Sequence, residues 1–330
     1  MTCGLIFDSL KMLFAVGGWL GVGFVVTTTV GLLIVSHILY TMHLKRTKPE
    51  KWTRGCSCNE PDQMKMYDEG LEWSKKNAQY KKDLHIVNEG LNLYAEYYDF
   101  GYDKALIFIA GRTEGLGYGY YFSKPYPEMG FNVLTIDPRA HGESDGKYNT
   151  LGYEEHKDLI AWAKLLHDEY SIKKIVLHGI CIGSSCALMA LVSDNCPDYI
   201  DGMIAEGMYP NFSESFKNHM IELEKPIFPA LQMVNMWMRI YTGHSMRKGN
   251  IDIIHRLEKP ILMLHSKEDI YSTPENAQKL YDKVPHENKE LVWFEHGAHS
   301  KLRITDTERY DSAVKAFLSK YFIENEVGSK

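Results

Sequence analysis

The stretch KIVLHGICIGSSCALMAL, residues 174–191, decides the fold. It begins with a short β-branched run and ends in an apolar segment of helical composition. Between them Gly179 and Gly183 stand two positions either side of Cys181, which is the pattern of a nucleophile elbow between a strand and a helix. The following helix N-terminus favours negative charge at the apex of such a turn. The stretch therefore predicts a strand–turn–helix unit that presents a cysteine nucleophile, although buried cysteines in tight turns are also common.

The composition is that of an ordinary globular protein with room for one large domain. The chain has 330 residues, of which 45% are hydrophobic and 24% are charged. Its net charge of -6 offers no basic surface, so no nucleic-acid partner is expected. The cysteines follow neither a disulfide framework nor a zinc-ligand spacing, and the histidines form no H-E-x-x-H motif. The sequence accordingly predicts no metal site and no cofactor.

A long apolar stretch near the N-terminus predicts a membrane anchor. Residues 12–38 are almost wholly apolar and, at about 1.5 Å per residue, are long enough to cross a bilayer. The stretch is longer than a signal-peptide core and no A-x-A cleavage site follows it, which favours a retained anchor over 12–41 after a tail of residues 1–11. Basic residues cluster after the span rather than before it. The positive-inside bias thus predicts a single-pass membrane protein whose folded domain is cytoplasmic.

The remainder divides into a polar segment and an alternating one. Residues 42–82 are charged and lack periodicity, and they are predicted to form a juxtamembrane linker with a short helix near 61–75. From 83 to 325, β-branched runs alternate with helical patterns, which predicts an α/β domain with a mainly parallel eight-stranded sheet and helices on both faces. The predicted strands are 84–87, 91–97, 104–110, 130–137, 175–178, 202–206, 260–265 and 290–295.

One segment, 207–257, interrupts the alternation and is rich in methionine and aromatic residues. An excursion of this length is usually a lid or a disordered insert. The apolar content favours a helical lid, and this lid is predicted to cover a pocket for an acyl group. The alternative, that these side chains only pack on the domain body, stays open. The residues predicted to bind substrate, in this segment and in the glycine-rich loop before it, are Gly111, Tyr118, Tyr209, Phe212, Met233, Met236 and Trp237.

Asp269 and His299 complete a catalytic constellation with Cys181. Each follows a predicted strand, and in a parallel sheet the loops after the strands open at one edge. The order nucleophile, acid, histidine along the chain is the order expected for a site built on such an elbow. Glu206 and Glu268 are alternative acids. The sequence predicts that Cys181 attacks an acyl carbonyl, that His299 transfers the proton, and that Asp269 fixes the imidazole tautomer.

The chain resembles α/β-hydrolases of a membrane-tethered bacterial group related to the serine aminopeptidase (S33) and Bem46-like families. The resemblance rests on the block 137–144, similar to D-x-R-G-x-G-x-S, on the strand–acid–helix block 259–277, and on G-x-H at 297–299. It covers about residues 83–323. The chain departs from the family pattern at Cys181, where most members have serine, and at Ala110, where a histidine is usual.

The resemblance implies an α/β-hydrolase fold with a helical lid, and a membrane-anchored acyl hydrolase of esterase or thioesterase type. It implies an oxyanion hole formed by the main-chain N–H groups of Ile182 and Arg112. A cysteine nucleophile gives a thioester, so acyl transfer to an amine or alcohol is one alternative. A second alternative is an inactive hydrolase-like binding protein. The expected partners are a small or lipid-like acyl substrate and the lipid bilayer, and the sequence leaves open whether the chain forms a homo-oligomer.

Overall fold

An eight-stranded sheet forms the centre of the domain in the computed structural model, which describes residues 2–56 and 58–323, with side chains of the first helix from Trp19 onward. The strands lie in the order β1-β2-β4-β3-β5-β6-β7-β8. The pairs β1–β2 and β2–β4 are antiparallel, and every pair from β4 to β8 is parallel. The predicted α/β class and mainly parallel sheet are confirmed. The strands are β1 (Lys81–Asn88), β2 (Leu91–Tyr98), β3 (Lys104–Ile109), β4 (Asn132–Ile136), β5 (Lys174–Ile180), β6 (Ile200–Glu206), β7 (Ile261–Ser266) and β8 (Lys289–Phe294).

Helices connect the strands and cover both faces of the sheet. Those of the described residues are α1 (Thr2–Leu44), α2 (Pro61–Lys76), α3 (Leu116–Phe122), α4 (Glu155–Tyr170), α5 (Ile182–Leu191), α6 (Phe212–Glu222), α7 (Ala230–Thr242), α8 (Asn250–Ile253), α9 (Pro274–Lys283), α10 (Leu302–Thr305) and α11 (Thr307–Tyr321). The predicted tail of residues 2–11 is part of α1, and Met1 and residues 324–325 of the predicted domain lie outside the described residues.

The core lies in two layers, one on each face of the sheet. Along β3, Ala105, Ile107 and Ile109 join the cluster that includes buried residues of α4 and α5. Leu106 and Phe108 join the cluster that includes buried residues of α3 and α11. Successive side chains of a strand point to opposite faces, so a strand covered on both faces is apolar throughout rather than alternating. This explains the continuous apolar run that predicted β3.

The segment 45–60 is attached to the domain body, so the predicted linker over 42–82 is wrong. The Arg46 guanidinium donates to the carbonyl oxygens of Gly142 and Ser144, at 2.7 and 3.0 Å. Arg54 pairs with the buried carboxylate of Asp137 at 2.8 Å. The helix predicted at 61–75 is present as α2 and packs on α3. Charge and lack of periodicity suggested a linker because the partners of these polar groups lie far along the chain.

α1 has a bare part and a docked part. Every side chain of Trp19–Leu32 is exposed, and from residue 33 onward one side of the helix is covered, with Ser36, Tyr40 and Leu44 buried. Trp19–Leu44 is long and apolar enough to cross a membrane. A helix that is apolar all round and exposed over four turns is suited to lipid rather than to water.

The docked part of α1 packs on α7, within the segment predicted as a lid. Trp237 Nε1 donates a 3.0 Å hydrogen bond to Ser36 Oγ, and the Tyr241 hydroxyl lies 2.8 Å from His37 Nε2. The segment 207–257 is helical and contains α6, α7 and α8. The lid helices therefore connect the body of the domain to the end of the apolar helix.

Candidate active site

Cys181 occupies a sharp turn between β5 and α5. Its backbone has φ 56° and ψ -113°, a strained conformation for a residue with a side chain. The turn needs glycine on both sides: a Cβ on Gly183 would overlap the carbonyl oxygen of Ile109 in β3, and one on Gly179 would overlap the backbone of Gly183. Close approach of three backbone segments thus holds the thiol at the carboxyl edge of the sheet, at the first turn of α5.

Asp269 and His299 reach the same edge from the loops after β7 and β8. His299 Nδ1 lies 2.7 Å from Asp269 Oδ2, and the Cys181 thiol is near enough for its charge to raise the pKa of the imidazole. The second carboxylate oxygen of Asp269 accepts the N–H groups of Tyr271 and Ser272, both at 2.9 Å. These bonds fix the carboxylate, which in turn fixes the ring. The three side chains form a nucleophile–base–acid arrangement.

The charges in this arrangement favour a protonated imidazole. Burial lowers the pKa of His299, but the charges of Asp269 and Cys181, and the hydrogen bond to Asp269, raise it well above its ordinary value. Burial raises the pKa of Asp269, but the His299 charge and hydrogen bond outweigh it and the pKa is lowered. An imidazolium beside the sulfur stabilises a thiolate, which is the reactive form of cysteine.

Gly207 lies directly against the acid–histidine pair. It follows β6 with φ +61°, and a Cβ there would meet His299 Cε1 at 2.9 Å and Nδ1 at 3.1 Å. The hydrogen-bonded ring therefore fits only because this position lacks a side chain. The sequence analysis missed Gly207, since a glycine at a strand end gives no sign of what it touches.

The two alternative acids have other partners. Glu206 is fully buried and accepts the N–H of Leu302 at 3.1 Å, and burial raises its pKa to about 7. Glu268 is hydrogen-bonded to His296 at 2.9 Å. Of these three carboxylates, it is Asp269 that accepts a hydrogen bond from His299 in the part of the chain described.

The predicted oxyanion donors lie at the start of α5 and in the loop after β3. Ile182 is the first residue of α5, and neither its N–H nor that of Arg112 donates to another group among the described residues. Gly111 adjoins the nucleophile, because a Cβ there would lie 3.7 Å from that of Cys181. His141 Nε2 lies 2.8 Å from the Arg112 carbonyl oxygen and ties this loop to the block after β4. That these two N–H groups receive the charge developing on a carbonyl oxygen stays a prediction.

A carboxyl group that the sequence analysis missed lies beside this loop. A Cβ on Gly111 would overlap Glu114 Oε2, so the Glu114 carboxyl packs on the Gly111 α-carbon. Burial raises the pKa of Glu114, against the opposing charges of Arg112 and His299. One acidic residue in a loop carries no sequence signal that would single it out.

The predicted substrate-binding residues divide into two groups. Tyr209 is buried. Burial and the charge of Cys181 raise the pKa of its hydroxyl, so this side chain lies close to the nucleophile. The ring of Phe212 packs 5.9 Å from that of Tyr209, and Phe216 follows at 6.0 Å. These three rings form a buried aromatic cluster, and substrate binding by Gly111, Tyr209 and Phe212 stays a prediction.

The remaining predicted substrate contacts pack elsewhere. The Tyr118 hydroxyl donates to Gln63 Oε1 at 3.0 Å, so this side chain is buried beneath α2. Trp237 contacts α1, and Met236 lines a surface cavity of about 430 Å³ together with neighbours on α7. Met233 is half-buried on the same helix. Tyr118 and Trp237 therefore have protein partners in place of the predicted substrate, whereas substrate contact by Met233 and Met236 stays a prediction. An apolar helix face has the same pattern whether it meets a substrate or another helix.

The end of α1 borders the active site. The Arg112 guanidinium donates to the carbonyl oxygen of His43 at 3.3 Å. The His43 ring lies 6.0 Å from that of His219, and the Tyr271 ring lies 5.5 Å edge-on to that of His299. The apolar helix and the catalytic residues are thus separated by one or two side chains.

Comparisons with known proteins agree with this architecture. Residues 104–241 match the alpha/beta hydrolase fold family, and residues 238–306 match the serine aminopeptidase S33 family. The uncharacterized protein YqkD of Bacillus subtilis (strain 168) is 29% identical over 58% of this chain and 63% of its own length. Lysophosphatidylserine lipase ABHD12 of Danio rerio is 21% identical over 57% and 50%. The structure of the Pyrococcus furiosus esterase Pf2001 superposes with a TM-score of 0.63 at 24% identity, covering 75% of this chain and 94% of that one.

The sheet order, the elbow and the lid define an α/β hydrolase. The chain has the α/β-hydrolase fold, and its sequence is similar to the serine aminopeptidase S33 family over 238–306 and to a lysophosphatidylserine lipase over about half of its length. The matched regions span between half and two-thirds of the length of the curated relatives.

Proposed function

We propose that the chain is a membrane-anchored ester hydrolase that acts through Cys181, His299 and Asp269. The observation that carries the proposal is the 2.7 Å bond between Asp269 and His299 at the edge where Cys181 stands on a strained elbow, with the thiol near enough for its charge to raise the pKa of the imidazole. The printed names of two relatives, a lysophosphatidylserine lipase and an esterase, support ester substrates with a lipid-like acyl group.

The reaction begins with attack of the Cys181 sulfur on the ester carbonyl carbon. The thiol proton already resides on His299 Nε2, so the sulfur attacks as a thiolate, and the carbonyl electrons move to oxygen, which the N–H groups of Ile182 and Arg112 receive. Collapse of this intermediate breaks the bond to the alkoxy oxygen, which takes the proton from His299 and leaves as the alcohol. Cys181 then carries the acyl group as a thioester.

The second half of the reaction releases the acid. His299 takes a proton from water, whose oxygen attacks the thioester, and the Cys181 thiolate leaves. The Asp269 carboxylate stabilises the imidazolium in both halves and holds Nδ1 protonated, so that Nε2 faces the sulfur. An amine or alcohol in place of water would give acyl transfer by the same steps.

The proposed location follows from α1. The exposed apolar part of this helix is the proposed bilayer anchor, and the basic residues after it favour a cytoplasmic domain. Protease added to intact cells should leave the domain uncut, whereas protease added to inverted vesicles should digest it. Digestion from outside intact cells would place the domain on the other face.

The test of the chemistry is intact-protein mass spectrometry with a p-nitrophenyl ester of a medium-chain acid. Wild-type protein should release p-nitrophenol and show an acyl adduct removed by hydroxylamine. Cys181→Ala should show neither, and Cys186→Ala should behave as wild type, because that thiol is buried on α5. Absence of both adduct and product in wild type would indicate an inactive binding protein. Amide products formed on adding amines, in preference to the free acid, would indicate acyl transfer.

A further inference from the structure

The connection between α6 and α7, together with the turns on either side of it, forms the tip of the lid; here the lid tip denotes residues 221–231. We propose that the lid tip enters the head-group layer of the same bilayer that α1 crosses, so that the domain has a second membrane contact. The proposal depends on the proposed anchoring by α1. Three observations carry it: the register of α7 on α1, the length of bare α1, and the side chains of the lid tip.

The register places the start of α7 alongside the bare part of α1. The Trp237 ring lies 4.9 Å from that of His37, and the Tyr241 ring stacks 5.3 Å from that of Tyr40. Four residues along α7 thus correspond to three residues along α1, in the same direction. Ala230 precedes Trp237 by two turns, about 10 Å along the axis. The first turn of α7 is therefore level with about residue 30 of α1.

The length of bare α1 places the membrane surface at the same level. Side chains from Trp19 to Leu32 are exposed, and the helix is covered by the domain from residue 33 onward. A span of the hydrocarbon layer needs about 20 residues, and the apolar sequence begins at Met12. A span that starts there ends near Leu32. The start of α7 consequently lies at the boundary of the hydrocarbon and the head groups.

The lid tip has the side chains that suit this boundary. Phe228, Ile221 and Leu223 are 75%, 54% and 50% exposed, although each is a large hydrophobic residue. Exposed apolar side chains grouped on one segment mark a contact surface, and aromatic and aliphatic residues at the interface contribute to membrane binding. The tip also carries exposed Glu224 and Lys225. Charged groups remain among the head groups, so the contact is shallow.

This placement assigns the lipid bilayer as the partner that covers the lid tip. The tip is continuous with the docked face of the anchor, and no soluble partner reaches a surface at that height without meeting lipid. A second copy of the chain could cover the same residues only by packing beside α1 within the membrane.

The test is photocrosslinking of the full-length protein in nanodiscs of phosphatidylcholine and phosphatidylglycerol. A benzophenone amino acid replaces Phe228 in one variant, Val25 in the bare part of α1 in a second, and Tyr102 in a third. Tyr102 is a matched control: it is an aromatic residue, 41% exposed, in the loop before β3 at the opposite edge of the sheet from the lid. Lipid adducts are counted by intact-protein mass spectrometry.

We expect lipid adducts at positions 228 and 25. The yield at each should be at least about tenfold above the yield at position 102. Adducts at 25 without adducts at 228 would overturn the second contact and leave the anchoring in place. Absence of adducts at 25 would instead overturn the anchoring, and the lid placement with it. Protein–protein crosslinks at 228 would show that another copy covers the tip and would also refute the proposal. Leu223, half-exposed on the same segment, serves as the position if the 228 variant does not fold.

Discussion

Replacing Gly207 with alanine should misalign the catalytic histidine without unfolding the protein. The new Cβ would stand 2.9 Å from His299 Cε1, whereas ordinary contact begins at 3.4 Å, so the ring must move by about 0.5 Å. That shift changes both the 2.7 Å bond to Asp269 and the position of the ring relative to the thiol. Displacements of this size at reacting groups cost on the order of 10- to 100-fold in rate. We expect kcat on a p-nitrophenyl ester to fall by about that factor, with KM little changed.

The matched control is Gly130→Ala. Gly130 also has a left-handed backbone, φ +78°, but a Cβ there meets nothing within 4 Å. Both substitutions therefore cost about 1 kcal/mol in backbone strain, which thermal melting should show as similar small decreases in Tm. Only Gly207→Ala should also lose activity. Equal kcat in the two variants, with both folded, would refute the idea that the bare α-carbon of Gly207 sets the position of the imidazole.

Three further perturbations test the charges and the lid. Asp269→Asn removes the charge that raises the pKa of His299. Alkylation of the nucleophilic thiol by iodoacetamide should therefore slow about tenfold at pH 7 and recover at alkaline pH. An unchanged pH profile of the alkylation rate would contradict this. Glu206 has a folded-state pKa of about 7 against an ordinary 4.5, so its ionisation weakens the fold as pH rises through that window. Glu206→Gln should remove this loss, raising stability at pH 8 by about 2–3 kcal/mol but not at pH 4.5, as measured by Tm. Trp237→Ala breaks the hydrogen bond to α1 and should speed proteolysis of the lid tip, whereas Ile240→Ala, which shortens an exposed side chain of the same helix, should leave the cutting rate unchanged.

The elbow and the strand alternation could be predicted because they are local. Gly179 and Gly183 flank Cys181 within five residues, and the tight turn that they form is itself the reason why both must be glycine. The positions of Asp269 and His299 followed from topology alone, since loops after parallel strands share an edge. Such features depend on spacing and strand direction, both of which are visible along the chain.

What the sequence did not reveal are contacts between distant segments. Glu114 and Gly207 border the triad only because the sheet brings their loops to one edge. The polar segment around Arg46 looked unattached because its acceptors, near Ser144, lie about a hundred residues away. Trp237 and its neighbours show the amphipathic spacing of a buried helix face, but that spacing does not identify the partner.

The attachment of α1 to α7 has a practical consequence for making a water-soluble form. The exposed part of α1, which is suited to lipid, and the part that packs on the domain meet near Leu33. This boundary lies inside one continuous helix and not at its end. A version cut after Leu44 would strip hydrogen bonds from Trp237 and Tyr241 and uncover their rings, whereas one beginning at residue 33 keeps them. Crystallisation and assay in plain buffer are best attempted with three helical turns of the anchor retained.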